Sequence, residues 1–160
     1  MSTKKTNAMK LLEGKNVPYE SYTYPASLRD AQEVAAALDQ PASQVFKTLV
    51  VPRPKPGKPM LVMIPADRQL DLKKLARAVK QKKLKMATQR EAEQLTGLQV
   101  GGISALALLN RGFDIYLDDS ALAFEQIIIS AGQRGLQIKL AVPDLVKLCQ
   151  ARIVAATQQP

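Results

Sequence analysis

Two apolar segments joined by a proline-rich connector constrain the fold of this chain more than any other feature. Residues 45–51 read Val-Phe-Lys-Thr-Leu-Val-Val and residues 60–64 read Met-Leu-Val-Met-Ile. Their length and composition predict two strands. Residues 52–59 between them contain four prolines among basic residues, a composition typical of an exposed, stiff connection. We therefore expect a hairpin with a long basic loop.

A lysine interrupts the first of these strands. Side chains alternate between the two faces of a strand, so Lys47 shares its face with Val45, Leu49 and Val51. An ammonium group on an apolar face loses hydration unless an anion or a hydrogen-bond acceptor meets it. The position favours a cavity that holds a negatively charged or carbonyl-bearing ligand. The alternative is a lysine that reaches water from the strand end or protects a sheet edge from aggregation.

The composition excludes several kinds of catalytic site. The 160 residues contain no histidine and one cysteine, Cys149. This rules out a Ser-His-Asp triad, a Cys-His pair, a histidine-based metal site and an internal disulfide. Hydrolysis would depend on Lys, Asp or Glu, backbone N–H groups, water or the substrate itself. Cys149 lies on the apolar stripe of a predicted final helix and is expected in the core, and we expect no metal and no cofactor.

Size and hydropathy predict one domain that spans residues 1–160. A chain of this length buries a sufficient core without disulfides or metals. Its apolar stretches, such as residues 127–129 and 153–156, are too short to cross a bilayer. The basic start of the chain is not followed by a signal-peptide core. With a single cysteine, these features favour the cytoplasm and give no membrane partner.

The charge of the chain favours a polyanionic partner. The formal net charge is +9, and Lys and Arg gain from phosphate neutralisation. Residues 71–80 predict a helix whose basic side chains lie largely away from its apolar stripe: Lys73, Lys74, Arg77 and Lys80. These side chains are candidate phosphate contacts, although a solvated helix face has the same pattern. With 4% aromatic residues and no Trp, extensive stacking on single-stranded bases is not expected.

Two small-residue segments could bring backbone N–H groups close to a ligand. One is Gly101-Gly102 with Ser104, and the other contains Ser130 and Gly132. Glycines permit close approach, which suits an oxyanion or carboxylate cradle. Neither segment matches a phosphate-loop or dinucleotide fingerprint, and a tight corner is the simpler interpretation of each.

The rest of the chain alternates between helical and strand patterns without an internal repeat. Helices are predicted at residues 6–17, 27–38 (capped by Ser27) and 90–95, with a final helix that begins at Pro143. Further strands are predicted at residues 19–24, 113–117, 126–130 and 136–141.

In this order the segments resemble the YbaK-type family of aminoacyl-tRNA deacylases, which is related to the editing domain inserted in bacterial prolyl-tRNA synthetases. Six stretches carry the resemblance, in family order across nearly the whole chain: residues 10–13, 22–24, 45–49, 69–74, 100–104 and 130–136. The resemblance implies an α+β fold, a single compact domain with a mixed, barrel-like β-sheet flanked by helices.

The resemblance also implies an activity in trans on mischarged tRNA, most typically Cys-tRNA(Pro), often alongside prolyl-tRNA synthetase as a partner. In the mechanism proposed for the family, the thiol of the substrate cysteine attacks the ester, so the protein supplies positioning and an oxyanion site. The site residues that this implies are Lys47, Gly101 and Gly102 as catalytic groups, Tyr24, Ser104, Ser130 and Gly132 as substrate-binding groups, and Lys73, Lys74, Arg77 and Lys80 as tRNA contacts. In this hypothesis, Lys47 holds the terminal adenosine or the ester, and backbone N–H groups near the glycines stabilise the oxyanion.

The chain departs from the family at two positions. Where this chain has Gln137, some members carry an acidic residue, and where it has Gln133, some carry a basic one. No acid at position 137 is therefore available here as a base or as a partner for Lys47. Two alternatives stay open: a deacylase that removes Ala or another small amino acid with an activated water, and a non-catalytic tRNA-binding module.

Overall fold

The computed structural model describes residues 5–54 and 57–158. Its helices are α1 (Asn7–Gly14), α2 (Ala31–Ala37), α3 (Leu72–Ala78), α4 (Gln89–Thr96) and α5 (Val142–Cys149). Its strands are β1 (Glu20–Thr23), β2 (Phe46–Val51), β3 (Met60–Pro65), β4 (Asp114–Asp118), β5 (Gln126–Ser130), β6 (Leu136–Ala141) and β7 (Arg152–Val154). Short 3-10 helices lie at Leu106–Leu108 and Asp119–Ala123. The predicted α+β class is confirmed.

The strands form two sheets that meet at one corner. In the first, β2 and β3 form the predicted antiparallel hairpin, and β4 and β7 add in parallel to give the order β2-β3-β4-β7. The second is antiparallel with the order β1-β6-β5. A parallel bridge between Val45 and Ile128 joins them. The predicted barrel-like, mixed arrangement is therefore two sheets in contact, and over residues 5–54 and 57–158 they do not close into a continuous barrel.

Alternation along β2 divides its side chains between two parts of the core. Phe46 and Val50 belong to the large cluster that includes residues of β5, β6, α1 and α5. Val51 on the opposite face is fully buried against Leu75 of α3, and Leu49 is partly buried there. This is the period-two pattern expected of a strand with both faces covered, and it places Lys47 on the α3 side of the sheet.

Local hydrogen bonds explain where the helices begin. The Asp71 side chain accepts from the N–H groups of Lys73 and Lys74 at 3.1 and 3.0 Å, which caps α3. Thr88 and Glu91 form a reciprocal capping box at α4. The predicted Ser27 cap is wrong, because residues 25–28 form a turn in which the Leu28 N–H donates to Pro25 O, and α2 begins only after Asp30.

The connector and the C-terminal segment differ from expectation. Arg53 is not solvent-exposed: its guanidinium pairs with Asp114 and donates to the Tyr116 hydroxyl at 2.7 Å, which fastens the start of the connector to β4. Residues 55–56, the centre of the connector, lie outside the described ranges. Strand β7 was not predicted, because three residues carry too little periodicity. The buried Asp118 secures the segment after it by accepting from Ala156 N and the Thr157 hydroxyl. None of the described helices is long and apolar enough to cross a membrane.

Candidate functional site

A cavity of about 200 Å³ opens beside β2 where the two sheets meet. Five parts of the chain line it: Tyr24 after β1, residues 29–34 at the start of α2, residues 45–49 of β2 and its approach, the corner that contains Gly101, and the facing ends of β5 and β6. Of the residues predicted at the site, the fold brings Tyr24, Lys47, Gly101 and Ser130 to this one cavity.

The lining is electropositive. Lys47 and Arg29 are its two cationic side chains, and Asp30 is its single acidic one. Lys47 is half-buried and makes no salt bridge with any residue that the structure describes. A partly desolvated ammonium without a counter-ion gains most from an anionic or strongly polar ligand. The cavity therefore suits a ligand that carries phosphate or carbonyl oxygens.

The part of the cavity wall formed by β5 and β6 contains a hydrogen-bond acceptor without a partner among the described residues. Ser130 and Gln137 are direct neighbours across β5 and β6. Gln137 is 6% exposed, and its Oε1 is buried with no partner among the described residues. Such a group costs free energy unless a ligand or water donates to it. Sequence reasoning treated Gln137 only as a departure from the family, because the strand register that turns it toward the cavity is not visible in the pattern.

Tyr24 is held in place by the same sheet. Its N–H donates to Gly135 O at 3.0 Å, which extends the β1–β6 pairing by one residue. The side chain is 8% exposed and packs with Val34, Val45 and Ile128. Tyr24 therefore forms part of the cavity wall as well as of the core.

The glycine corner is packed against the loop between β5 and β6. A Cβ atom on Gly102 would lie 2.9 Å from Arg134 N and 3.1 Å from the Cα of Gln133. The Arg134 side chain crosses the corner, with Nε donating to Val100 O at 2.7 Å. Gly101, at φ +95°, reaches the cavity wall. Close approach of two main-chain segments is thus the physical reason for glycine at position 102.

Two of the predicted oxyanion donors are already engaged within the chain. The Gly102 N–H donates to Gln99 O at 2.8 Å, and the Gly132 N–H donates to Ser130 Oγ at 3.1 Å. Gly102, Gly132 and Ser104 do not line the cavity. Ser104 is fully buried, and Gly132 packs toward Ala107 in a separate depression. Neither predicted cradle is therefore complete at this cavity, because Gly101 and Ser130 line it while the other three residues do not.

Of the four predicted phosphate contacts on α3 and just after it, three have exposed side chains. Lys73, Arg77 and Lys80 are exposed. Lys74 is half-buried, and its Nζ donates to Thr157 O at 2.9 Å, so it anchors the C-terminal segment. The basic surface then continues through the exposed Lys82, Lys83 and Lys85.

Cys149 is not part of this cavity. It is buried on α5 and does not line the cavity, and burial raises the pKa of its thiol to about 12. A thiol with so high a pKa is protonated near neutrality and is a poor nucleophile. Its predicted place in the core is confirmed.

Comparison with known proteins gives consistent matches. The aminoacyl-tRNA editing domain profile matches residues 26–148. A protein of Enterococcus faecalis provisionally named the Cys-tRNA(Pro)/Cys-tRNA(Cys) deacylase EbsC is 38% identical over 155 residues, which is 96% of this chain and 93% of that protein. A proline–tRNA ligase of Caldicellulosiruptor bescii is 24% identical over 129 residues, 80% of this chain but 22% of the ligase.

Solved structures share the fold. A crystal structure provisionally described as a trans-editing enzyme for prolyl-tRNA synthetase superposes with a TM-score of 0.78 at 24% identity, covering 98% of this chain and all of that one. A hypothetical protein of known structure gives a TM-score of 0.85 at 21% identity over 96% of this chain and all of its own.

Proposed function

Because the chain belongs to the aminoacyl-tRNA editing domain family, we propose that it removes mischarged cysteine from tRNA(Pro), in trans, as an aminoacyl-tRNA deacylase. The observation that carries the proposal is Lys47, half-buried beside an apolar wall and without a salt-bridge partner among the described residues. An aminoacylated tRNA end offers both a phosphate and an ester carbonyl to such an ammonium. The exposed basic surface around Lys73 and Arg77 supplies contacts to the acceptor-stem phosphates.

The reaction needs little from the protein because an aminoacyl ester is already activated. A nucleophile adds to the carbonyl carbon and the π electrons move to the carbonyl oxygen. The intermediate then collapses, the bond to the ribose oxygen breaks, and that oxygen takes up a proton. If the thiol of the substrate cysteine is the nucleophile, its proton goes to the ribose oxygen and a small cyclic thioester is released. This route requires neither a histidine nor a cysteine of the enzyme, in keeping with the composition.

In this proposal, Lys47 orients the substrate and does not act as a nucleophile. A lysine used to hold phosphate or ester oxygens acts through its charge and hydrogen bonds. Removing one charged hydrogen-bond partner costs about 1.5–3 kcal/mol, which corresponds to a loss of about 10- to 150-fold in kcat/KM. Prolyl-tRNA synthetase is the proposed source of the mischarged tRNA.

The test compares hydrolysis of Cys-tRNA(Pro) and Ala-tRNA(Pro) by the wild-type protein, Lys47→Ala and Lys10→Ala. Lys10 is an exposed lysine of α1, so its variant removes the same charge away from the cavity. We expect rapid loss of cysteine only, a large defect in Lys47→Ala and none in Lys10→Ala, with matched circular dichroism spectra.

Other outcomes would assign another function. Equal hydrolysis of both substrates would favour a water-based deacylase for small amino acids. Salt-sensitive tRNA binding by folded protein without any ester cleavage would contradict the enzyme proposal and leave a binding module.

A further inference from the structure

β2 is the edge strand of its sheet, and its residue Thr48 lines the cavity. In an antiparallel pair, residues alternately direct both main-chain groups toward the partner strand and away from it. Ala66 N donates to Val45 O at 2.7 Å, so the odd-numbered residues of β2 bond to β3. The even-numbered residues therefore direct N–H and C=O to the other side. Val50 confirms this alternation, because its carbonyl accepts from Ala87 N at 3.1 Å on that side.

The outer edge of β2 is covered at both ends and open in the middle. At one end, Ile128 N donates to Gln44 O at 3.0 Å beside the Val45–Ile128 bridge. At the other end lies the Val50–Ala87 bond. Thr48 stands between them, is half-buried and lines the cavity. Among residues 5–54 and 57–158, no strand pairing is recorded for Thr48 on this side, because β2 is the edge strand of its sheet and its outer bridge lies at Val45. The strand edge thus has a gap in its pairing at Thr48, which lines the cavity.

An aminoacyl ester has the chemical form that fills such a gap. A residue in an antiparallel bridge donates with its N–H and accepts with its C=O, which are separated by one Cα. The α-amino group and ester carbonyl of an aminoacylated tRNA have the same connectivity. The cavity, at about 200 Å³, is smaller than the roughly 300–1,000 Å³ typical of sites for drug-sized ligands. It therefore suits an aminoacyl group better than a whole nucleoside.

We propose that the aminoacyl group of the substrate pairs with the main chain of Thr48 as a one-residue strand. Its α-amino group donates to Thr48 O, and its ester carbonyl accepts from Thr48 N–H. The inference rests on the proposed function and adds the group that receives the negative charge when the carbonyl is attacked. It supplies an oxyanion donor in place of Gly102 and Gly132, whose N–H groups are bonded internally.

Main-chain pairing also separates binding from discrimination. Every amino acid offers the same α-amino and carbonyl groups, so the Thr48 bridge cannot distinguish cysteine from alanine. Side-chain selectivity must then come from the remaining lining, where Gln137 presents its unpaired Oε1. The positioning group and the selecting group accordingly lie on different strands.

The test replaces the N–H of Thr48 by oxygen, by incorporating the α-hydroxy analogue of threonine into the full chain. The matched control is the α-hydroxy analogue of serine at Ser21. Tyr24 N bonds to Gly135 O, so by the same alternation Ser21 in the edge strand β1 directs its main-chain groups away from β6, and it is exposed and outside the cavity. We expect the Thr48 replacement to lower kcat for Cys-tRNA(Pro) by about 10²-fold, the usual effect of losing one oxyanion donor. The Ser21 replacement should leave the rate unchanged.

A change in the substrate tests the other half of the bridge and does not depend on folding of a variant. Wild-type protein is given tRNA(Pro) esterified with 3-mercaptopropionate, which keeps the thiol and the carbonyl but lacks the α-amino group. Its acceleration over spontaneous hydrolysis should fall at least about tenfold relative to Cys-tRNA(Pro).

The outcomes separate the two proposals. A folded Thr48 replacement within about threefold of wild type, or equal acceleration of both esters, would overturn the Thr48 bridge while the deacylase function stands. Failure of the wild-type protein to hydrolyse Cys-tRNA(Pro) would remove the proposed function and the bridge together.

Discussion

The packing of the glycine corner against the β5–β6 loop predicts the effect of Gly102→Ala. The added methyl group would lie 2.9 Å from Arg134 N and 3.1 Å from the Cα of Gln133. Both atoms belong to the main chain, so relief requires a loop to move and not merely a side chain to rotate. Overpacking of this kind costs about 1–3 kcal/mol of unfolding free energy. The φ angle of Gly102 is not in the left-handed region, so conformational strain adds nothing.

Two other glycines provide matched controls in a urea denaturation series. Gly14 has open space where an added methyl group would lie and an ordinary φ, so Gly14→Ala should be neutral or slightly stabilising. Gly97 also has open space but a φ of +73°, so Gly97→Ala should cost about 1 kcal/mol through conformation alone. Gly102→Ala should be the most destabilising of the three.

The same substitution should affect activity. Gly101 is part of the cavity wall, so a displaced corner at Gly102 changes the shape of the site. Hydrolysis of Cys-tRNA(Pro) should slow in Gly102→Ala and stay normal in Gly14→Ala and Gly97→Ala. If Gly102→Ala unfolds at the same urea concentration as Gly14→Ala, the two loops are not in main-chain contact and the reasoning is refuted.

Two further predictions concern stability. The pKa of Cys149 is raised by burial from 9.0 to about 12; the folded chain therefore keeps a proton that the unfolded chain releases, and unfolding free energy should decline as pH rises above about 9. In Cys149→Ala, unfolding free energy measured by urea titration should decline less steeply with pH above about 9. The same pH dependence in both proteins would contradict a buried thiol. Arg53→Met should cost about 1–3 kcal/mol by removing the partner of Asp114 and Tyr116. A double-mutant cycle with Asp114→Asn should show coupling, whereas strict additivity would mean that the ion pair contributes nothing.

The sequence by itself determined most of the helices and strands, and it determined which kinds of catalytic site the chain excludes. The β2–β3 hairpin, α3 and the strands β5 and β6 follow from local periodicity, because side-chain alternation and helical spacing are properties of neighbouring residues. The absence of histidine excluded triads and histidine-based metal sites without any structure. The lysine in an apolar strand also pointed to a polar ligand beside β2.

Only the tertiary structure decided which main-chain groups are free, because hydrogen bonds between distant segments leave no trace in local pattern. The N–H groups of Gly102 and Gly132 are occupied, whereas those of Thr48 face a gap bounded by contacts to Ile128 and Ala87. The sequence named the glycines as donors because glycine marks close approach of the backbone. At Gly102 that approach is to another loop of the same chain. The glycine residues therefore indicated where the backbone approaches another group closely, and the fold determined which group that is.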